Sequence, residues 1–188
     1  MKTRHILLIL TFVVGIWGGS QLVKMIVSSS QDQTATDAEG KHADVSLTSA
    51  QQKAPEFTLP DLDGAPHNIH QWQGNVIVLN FWATWCPPCR RETPMFVDLQ
   101  DEFGPQGLQF VGVAIDEISK VKEFMDTYGV NYPMLTGVDD AIEISKTYGN
   151  RFGALPYTVF IDRDGNIVHR QREELKRDQA ESIIKKLL

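Results

Sequence analysis

The chain has 188 residues, with 18 Lys and Arg against 24 Asp and Glu, and its formal net charge of −6 excludes the basic surface typical of nucleic-acid-binding proteins. A hydrophobic content of 42% excludes a largely disordered chain, and the length suits one domain with appended segments. The chain contains only two cysteines, which excludes a disulfide-rich scaffold and a four-cysteine zinc site.

The N-terminus carries a membrane-targeting pattern. Residues 6–23 are 18 consecutive residues without a charge, and Lys2 and Arg4 precede them. As a helix this run would span about 27 Å, close to the thickness of the hydrocarbon core. The preceding positive charges favour a cytoplasmic N-terminus and export of the rest of the chain. We predict a transmembrane signal-anchor over residues 1–27; the alternative is a cleaved signal peptide.

Residues 28–53 are predicted to form a flexible linker. This segment has no aromatic residue and very few large apolar ones, so it cannot bury enough surface to offset the entropy lost on ordering. The chain up to residue 53 contains five basic and four acidic residues, which leaves a net charge of −7 on residues 54–188. An acidic globular part further disfavours nucleic acid as a partner.

Residues 54–188 are predicted to form one α/β domain, because buried-strand patterns alternate with stretches of helical spacing. A turn at Asp63 and Gly64 indicates a short hairpin within residues 54–64. The predicted strands are residues 76–82, 108–115, 132–135, 157–161 and 167–171. The predicted helices are residues 90–103, 121–128, 141–148 and 179–188. This order indicates a mixed sheet between layers of helices.

The two cysteines, Cys86 and Cys89, stand three residues apart where strand 76–82 gives way to a helix. A thiolate at a helix N-terminus is stabilised by free backbone N–H groups and by the helix dipole. We therefore predict Cys86 as the exposed nucleophile and Cys89 as the more buried thiol that resolves a mixed disulfide. Because Pro87 and Pro88 lack an N–H, we expect the pKa of Cys86 to be lowered only moderately.

Three other interpretations of the cysteine pair remain open: a structural disulfide, half of a metal site, and two unrelated buried thiols. A bridge between residues three apart closes a very short loop and adds little stability. A metal site, for example for copper, would need His67 or His70 to approach in space. We expect no metal and no cofactor beyond the redox-active disulfide, with a copper-binding module as the alternative.

Four motifs of this sequence occur together in one known family. They are the segment at residues 80–89, Pro94 in the following helix, the loop at residues 153–158, and the hairpin at residues 54–64. Together they resemble the thioredoxin superfamily, and within it the TlpA/ResA/DsbE-like membrane-anchored thiol-disulfide oxidoreductases. The resemblance covers residues 54–188. It implies a thioredoxin-like three-layer α/β/α fold with a mixed central sheet and an extra N-terminal β-hairpin.

The resemblance also implies a substrate-binding surface. Pro156 would be cis and lie beside Cys86, the backbone of Leu155 would pair with a substrate strand, and Tyr157 would border the cleft. The same surface would include three residues next to the nucleophile, namely Trp85, Pro87 and Pro88.

An acid that accepts the proton of Cys89 is the third implied feature. Many relatives carry a buried acid at the position of Asn80, and asparagine cannot accept a proton. The TlpA/ResA-like pattern has a glutamate after the next strand, which corresponds to Glu117. We predict Glu117 as the catalytic acceptor, with a solvated loop carboxylate as the alternative.

The predicted function is a thiol-disulfide oxidoreductase that reduces disulfides of exported client proteins through the Cys86–Cys89 couple. The expected location is a bacterial cytoplasmic membrane, entered through residues 6–27, with the domain facing the periplasm or cell exterior. A membrane thiol electron donor is the second expected partner. The reducing direction rests on the resemblance, because the motif alone does not set the potential, and a disulfide-donating oxidant is the alternative.

Overall fold

The computed structural model describes residues 52–188, so the predicted signal-anchor and residues 28–51 of the predicted linker lie outside the described residues. Among helices of residues 52–188, none has both the length and the apolar character needed to cross a bilayer. The strands are β1 (Thr58–Pro60), β2 (Pro66–Asn68), β3 (Val76–Trp82), β4 (Leu108–Ala114), β5 (Met134–Thr136), β6 (Tyr157–Ile161) and β7 (Ile167–Gln171). The α-helices are α1 (Pro87–Phe103), α2 (Ile118–Tyr128), α3 (Val138–Thr147) and α4 (Arg177–Leu187).

The central sheet has five strands in the order β5-β4-β3-β6-β7. Strands β3, β4 and β5 run parallel, whereas β6 is antiparallel to both β3 and β7, so the sheet is mixed as predicted. All seven residues of β3 are buried, because this strand lies at the centre of the sheet between layers of packed side chains. At Asn80 the register pairs β3 with Gly112 on one side and Thr158 on the other.

The alternation of side chains along β3 divides the core into two clusters. Val78 and Trp82 face a cluster that contains both cysteines and buried residues of α1, α2 and α4. Leu79 and Phe81 face a second cluster with buried residues of the hairpin, of α3 and of alternate positions of β6. This is the expected thioredoxin-like α/β fold, with each fully buried aliphatic side chain contributing about 1.5–3 kcal/mol through its transfer from water.

The small hairpin of β1 and β2 is antiparallel and packs at one edge of the central sheet. Its turn is closed by the Asp61 carboxylate, which accepts hydrogen bonds from the backbone N–H groups of Asp63 and Ala65 at 2.9 Å. Leu59 is buried in the second cluster, and Asp61 bridges to Leu135 of the edge strand β5. The hairpin therefore covers a sheet edge that would otherwise be open to pairing.

The sequence-based boundaries differ from the structure at the linker end, in the hairpin and at the helix starts. The last residues of the predicted linker belong to the domain, because Gln52 accepts a backbone hydrogen bond from Ile167 at 2.8 Å and Lys53 bridges to Asn166. The second hairpin strand, β2, lies at Pro66–Asn68, beyond the range 54–64 that the turn pattern indicated. The strands at 76–82, 157–161 and 167–171 are confirmed with their bounds, whereas every helix begins two or three residues earlier than predicted.

Candidate active site

The two cysteines lie at the N-terminus of α1 and are joined by a disulfide bond. Cys86 is 3% exposed and Cys89 is 1% exposed. The expectation that Cys86 is an exposed thiol is therefore corrected for this oxidised form, because its sulfur packs into the same apolar cluster as Trp82. The Cys86 sulfur does not protrude from the surface. A thiol that attacks the disulfide would therefore approach next to the exposed neighbours of Cys86.

The start of α1 leaves one backbone donor for the Cys86 sulfur. Cys86 is the N-cap residue, and its Sγ accepts a hydrogen bond from the N–H of Cys89 at 3.4 Å. Pro87 and Pro88 occupy the first helical positions and carry no N–H. The Cys86 sulfur therefore lies at the positive end of the helix dipole but accepts only a single direct backbone hydrogen bond.

A buried carboxylate anchors the segment that leads into the cysteines. Asp116, directly after β4, is 8% exposed and accepts hydrogen bonds from the backbone N–H of Thr84 at 3.1 Å and from the Thr84 hydroxyl. The Glu117 N–H donates to its other oxygen at 2.8 Å. Burial opposes ionisation of Asp116, but the hydrogen bonds from Thr84 and Glu117 outweigh it and hold the pKa of this carboxyl below its usual value.

Glu92 is a second buried acid near the cysteines, and it was missed from the sequence. It is 2% exposed, Asn80 Nδ2 donates to its Oε1 at 3.1 Å, and the Leu175 N–H donates to its Oε2 at 3.0 Å. Burial raises the pKa of Glu92 to about 7, although the hydrogen bonds from Leu175 and Asn80 lower it in part. One turn separates Glu92 from Cys89, which puts the two residues on the same face of α1.

A signal for Glu92 was present in the sequence. The buried residues of α1 recur at helical spacing, and they are Cys89, Glu92, Thr93, Phe96, Leu99 and Phe103. A carboxylate on such an apolar stripe is buried by the helix geometry itself, since positions three and four residues apart share one face. The spacing of apolar residues along α1 therefore indicates a buried acid at Glu92.

Glu117, the acceptor expected from the resemblance, lies at the surface. Its side chain is 70% exposed, and its carboxylate forms an ion pair with Lys120 at 2.8 Å. It stands at the N-terminus of α2, where an acidic side chain is favoured by the helix dipole. These contacts account for Glu117 without a role in proton transfer, and its catalytic assignment stays a prediction.

The loop before β6 has the expected cis peptide bond between Leu155 and Pro156. Leu155 is half-buried and packs against both core clusters, including the one that contains the cysteines. The placement of Tyr157 at the cleft is corrected: its side chain is fully buried, and its hydroxyl donates to the Tyr148 carbonyl at 3.0 Å. As the first residue of β6, it points into the second cluster beside Phe81.

The other residues of the expected binding surface are accessible. Trp85 is 66% exposed, Pro87 is exposed and Pro88 is half-buried. These three residues adjoin Cys86 in the chain and supply a largely apolar surface next to the disulfide. A polypeptide that approaches the sulfur of Cys86 would therefore contact Trp85 and Pro87.

Among residues 52–188, no group of three or more His, Cys, Asp or Glu side chains is arranged to hold a metal ion. His67, one of the histidines considered as a copper ligand, has both ring nitrogens in hydrogen bonds. Its Nε2 lies 3.0 Å from Asp61 Oδ2, and its Nδ1 lies 2.8 Å from Gln71 Nε2. The ring is also stacked on Trp72. These contacts give His67 a structural role in the hairpin.

Comparison with known proteins gave consistent matches. The family model described as Redoxin matches residues 49–188. The chain is 33% identical over 150 residues to the thiol-disulfide oxidoreductase ResA of Bacillus thuringiensis (strain Al Hakam), covering 79% of this chain and 84% of that protein. The ResA of Halalkalibacterium halodurans is 37% identical over 127 residues, which cover 67% of this chain and 70% of the relative.

Solved structures agree with the sequence matches. A thiol:disulfide interchange protein of the thioredoxin family from Chlorobium tepidum TLS superposes with a TM-score of 0.67 at 30% identity. The match covers 73% of this chain and 96% of that one. A secreted disulfide oxidoreductase of Mycobacterium tuberculosis superposes with a TM-score of 0.61 at 27% identity, covering 70% of this chain and 96% of that one.

Proposed function

The chain belongs to the Redoxin family and is a thioredoxin-like thiol-disulfide oxidoreductase, and we propose that it reduces disulfides of exported client proteins. The observation that carries this proposal is the Cys86–Cys89 disulfide at the N-terminus of α1, with the buried acid Glu92 one turn further on. This arrangement supplies a nucleophile, a resolving thiol and a proton acceptor on one helix.

The reaction begins from the reduced dithiol. The Cys86 thiolate attacks one sulfur of a client disulfide, forms a mixed disulfide and releases the first client thiolate. Cys89 then loses its proton and attacks the sulfur of Cys86, which releases the second client thiolate. Two electrons pass from the protein to the client, and the protein is left with the Cys86–Cys89 disulfide. A thiol-containing electron donor must then reduce the Cys86–Cys89 disulfide by the same kind of exchange, run in the opposite direction.

Glu92 is the acceptor that we assign to the Cys89 proton. A general base works best when its pKa lies near the operating pH, and burial raises the pKa of Glu92 to about 7. Its carboxylate is held by Asn80 and by the backbone of Leu175, so both of its oxygens are fixed in position. Either direct transfer or transfer through one water would serve the resolving step.

The direction of exchange is tested by a redox titration of the full-length protein in glutathione buffers. We expect a reduction potential nearer to about −270 mV, as in thioredoxin, than to about −120 mV, as in a strong oxidant. A reduction potential near that of a strong oxidant would reverse the proposed direction and support the disulfide-donating alternative. Cys86→Ser is the matched control, because it removes the couple and should show no transition.

Clients are identified by trapping. Cys89→Ser cannot resolve the mixed disulfide, so the variant should accumulate covalent adducts with client proteins that disappear on reduction. The double variant that combines Cys86→Ser with Cys89→Ser should form no covalent adducts. If Cys86→Ser and Cys89→Ser trapped the same proteins equally, the assignment of Cys86 as the nucleophile would be wrong.

We also propose that the domain acts outside a bacterial cytoplasmic membrane, to which residues 1–27 anchor it. Support comes from the uncharged run at residues 6–23 and from the basic residues that precede it. The similarity to a secreted disulfide oxidoreductase is consistent with an exported domain. Electrons for repeated turnover would come from a membrane thiol donor, since the chain supplies only one redox couple.

A further inference from the structure

Exposed aromatic side chains flank the active site. Among residues 52–188, the large hydrophobic side chains with the highest exposure are Phe152, at 91%, and Trp85, at 66%. Trp85 directly precedes Cys86, and Phe152 stands four residues before Pro156. A single exposed apolar residue needs no explanation. Phe81 of β3 pairs with Tyr157 of β6, so the segment that leads to Cys86 and the loop that ends at Pro156 meet the sheet at the same edge. Each of these two segments carries an exposed aromatic side chain, and aromatic side chains dominate binding hot spots.

The loop that carries Phe152 is held in place by a buried side chain. Asn150 is 2% exposed, its Oδ1 accepts a hydrogen bond from the Ala154 N–H at 3.0 Å, and its Nδ2 donates to the Ala154 carbonyl at 2.9 Å. The Gly153 N–H donates to the Asn150 carbonyl at 3.1 Å, with Gly153 at a φ of +62°. Phe152 is thus presented to solvent from a closed loop, which lowers the entropic cost of using it in binding.

Phe152 lies in the loop that leads to the cis peptide bond between Leu155 and Pro156. It is three residues from Leu155, so the two Cα atoms are at most about 10–11 Å apart. Leu155 packs against the cluster that contains both cysteines. A client joined to Cys86 and extended along Leu155 would span the distance to Phe152 in about three residues.

We propose that Phe152 is a specificity-determining contact for protein clients, which binds an apolar side chain about three residues from the reacting cysteine. The occupant is an extended client chain rather than a second copy of this protein. Each copy carries −7 on residues 54–188, which disfavours self-association. The loop of Phe152, in contrast, leads directly to Leu155, which packs against the cluster that contains the reactive disulfide. This inference rests on the proposed function.

The test compares two peptides that contain the same intramolecular disulfide. In one, leucine stands three residues to either side of the reacting cysteine; in the other, serine does. With the full-length protein and dithiothreitol as reductant, we expect kcat/KM to be about fivefold to tenfold higher for the leucine peptide. Phe152→Ser should lower kcat/KM for the leucine peptide to the level of the serine peptide and leave the serine peptide unchanged.

The controls separate this contact from general effects. Phe152→Trp should retain the preference, because it keeps an aromatic surface, and Val138→Ser should retain it because it removes an exposed apolar side chain elsewhere. A preference that survives Phe152→Ser, or an equal loss with both peptides, would overturn the inference while leaving the reductase function intact. Failure of the unaltered protein to reduce either peptide or a small aromatic disulfide would instead count against the proposed function.

Discussion

At the scale of single residues, Asn80 and Glu92 act as one unit. Asn80 Nδ2 donates to Glu92 Oε1 and to the Thr158 hydroxyl at 2.9 Å, so the asparagine in β3 positions the acid on α1. The strand has an asparagine at this position, and the buried carboxyl group bonded to it lies on α1, the helix that also carries Cys89.

The role of Glu92 in proton transfer can be measured in the resolving step. We expect Glu92→Gln to slow release of the second client thiol at pH 7 by about a hundredfold, since a positioned base typically contributes that much or more. Stopped-flow kinetics of a preformed mixed disulfide at Cys86 would report this rate. In the unaltered protein this rate should rise with pH around 7, and in Glu92→Gln that rise should be lost.

Glu117→Gln is the comparison for that measurement, because Glu117 is the acid expected from the family resemblance. Its exposed, Lys120-paired carboxylate leads us to expect a change of less than about threefold in the same rate. A large effect of Glu117→Gln together with a small effect of Glu92→Gln would assign the proton transfer to Glu117.

Glu92 should also make the stability of the folded protein depend on pH. Its pKa is raised from 4.5 to about 7, so the folded state binds this proton more tightly than the unfolded state does. The resulting stabilisation is fully present below about pH 4.5 and is lost as the pH rises through 7, by up to about 3 kcal/mol. Urea unfolding of the oxidised protein should show a higher midpoint at pH 5 than at pH 8.

Glu92→Gln provides the control for the pH dependence of unfolding. The variant has no titrating group at this position, so the difference between its midpoints at pH 5 and pH 8 should shrink relative to the unaltered protein. An unchanged difference would show that other groups produce it, and that Glu92 is ionised in the folded state at pH 5.

At the scale of elements, strands were predicted better than helix starts, for a physical reason. Continuous apolar runs mark β3 and β6 directly. The N-cap residues of the helices are Cys86, Glu117, Gly137 and Lys176. None of these is Ser, Thr, Asp or Asn, so the sequence lacks the usual signal for a helix start, and apolar spacing begins only after the first turn.

The hydrogen bonds between Asp116, directly after β4, and Thr84 of the active-site segment should contribute to the stability of the fold. Thr84→Val removes the hydroxyl that bonds the buried Asp116 carboxylate, and we expect a loss of about 1–3 kcal/mol in the free energy of unfolding at pH 7. Because hydrogen bonding lowers the pKa of Asp116, the loss should diminish as the pH falls and the carboxyl becomes protonated.

Thr84→Ser is the matched variant for this measurement, since it retains the hydroxyl. Chemical unfolding should place its stability within about 1 kcal/mol of the unaltered protein. If Thr84→Ser, which keeps the hydroxyl, were as unstable as Thr84→Val, loss of the hydrogen bond to Asp116 would not explain the effect.

At the scale of the whole molecule, the site depends on contacts between distant parts of the chain. The cysteine pair is recognised from local spacing, whereas the hydrogen bonds of Glu92 to Leu175 and of Asn80 to Thr158 join residues 83 and 78 positions apart. Periodicity identifies which residues are buried but not which buried groups meet. This is why the cysteine motif was predictable from the sequence and the hydrogen bonds that hold Glu92 were not.

The predicted N-terminal anchor can be tested on the full-length chain expressed in a bacterium. The uncharged run at residues 6–23 should hold the protein in the membrane fraction after alkaline carbonate extraction, and intact mass should show that residues 1–27 are retained. Introducing arginine at Val14 should abolish membrane retention, because a charge at the centre of the run costs about 3 kcal/mol. A mature chain that is found in the soluble fraction and starts near residue 20 would identify a cleaved signal peptide instead.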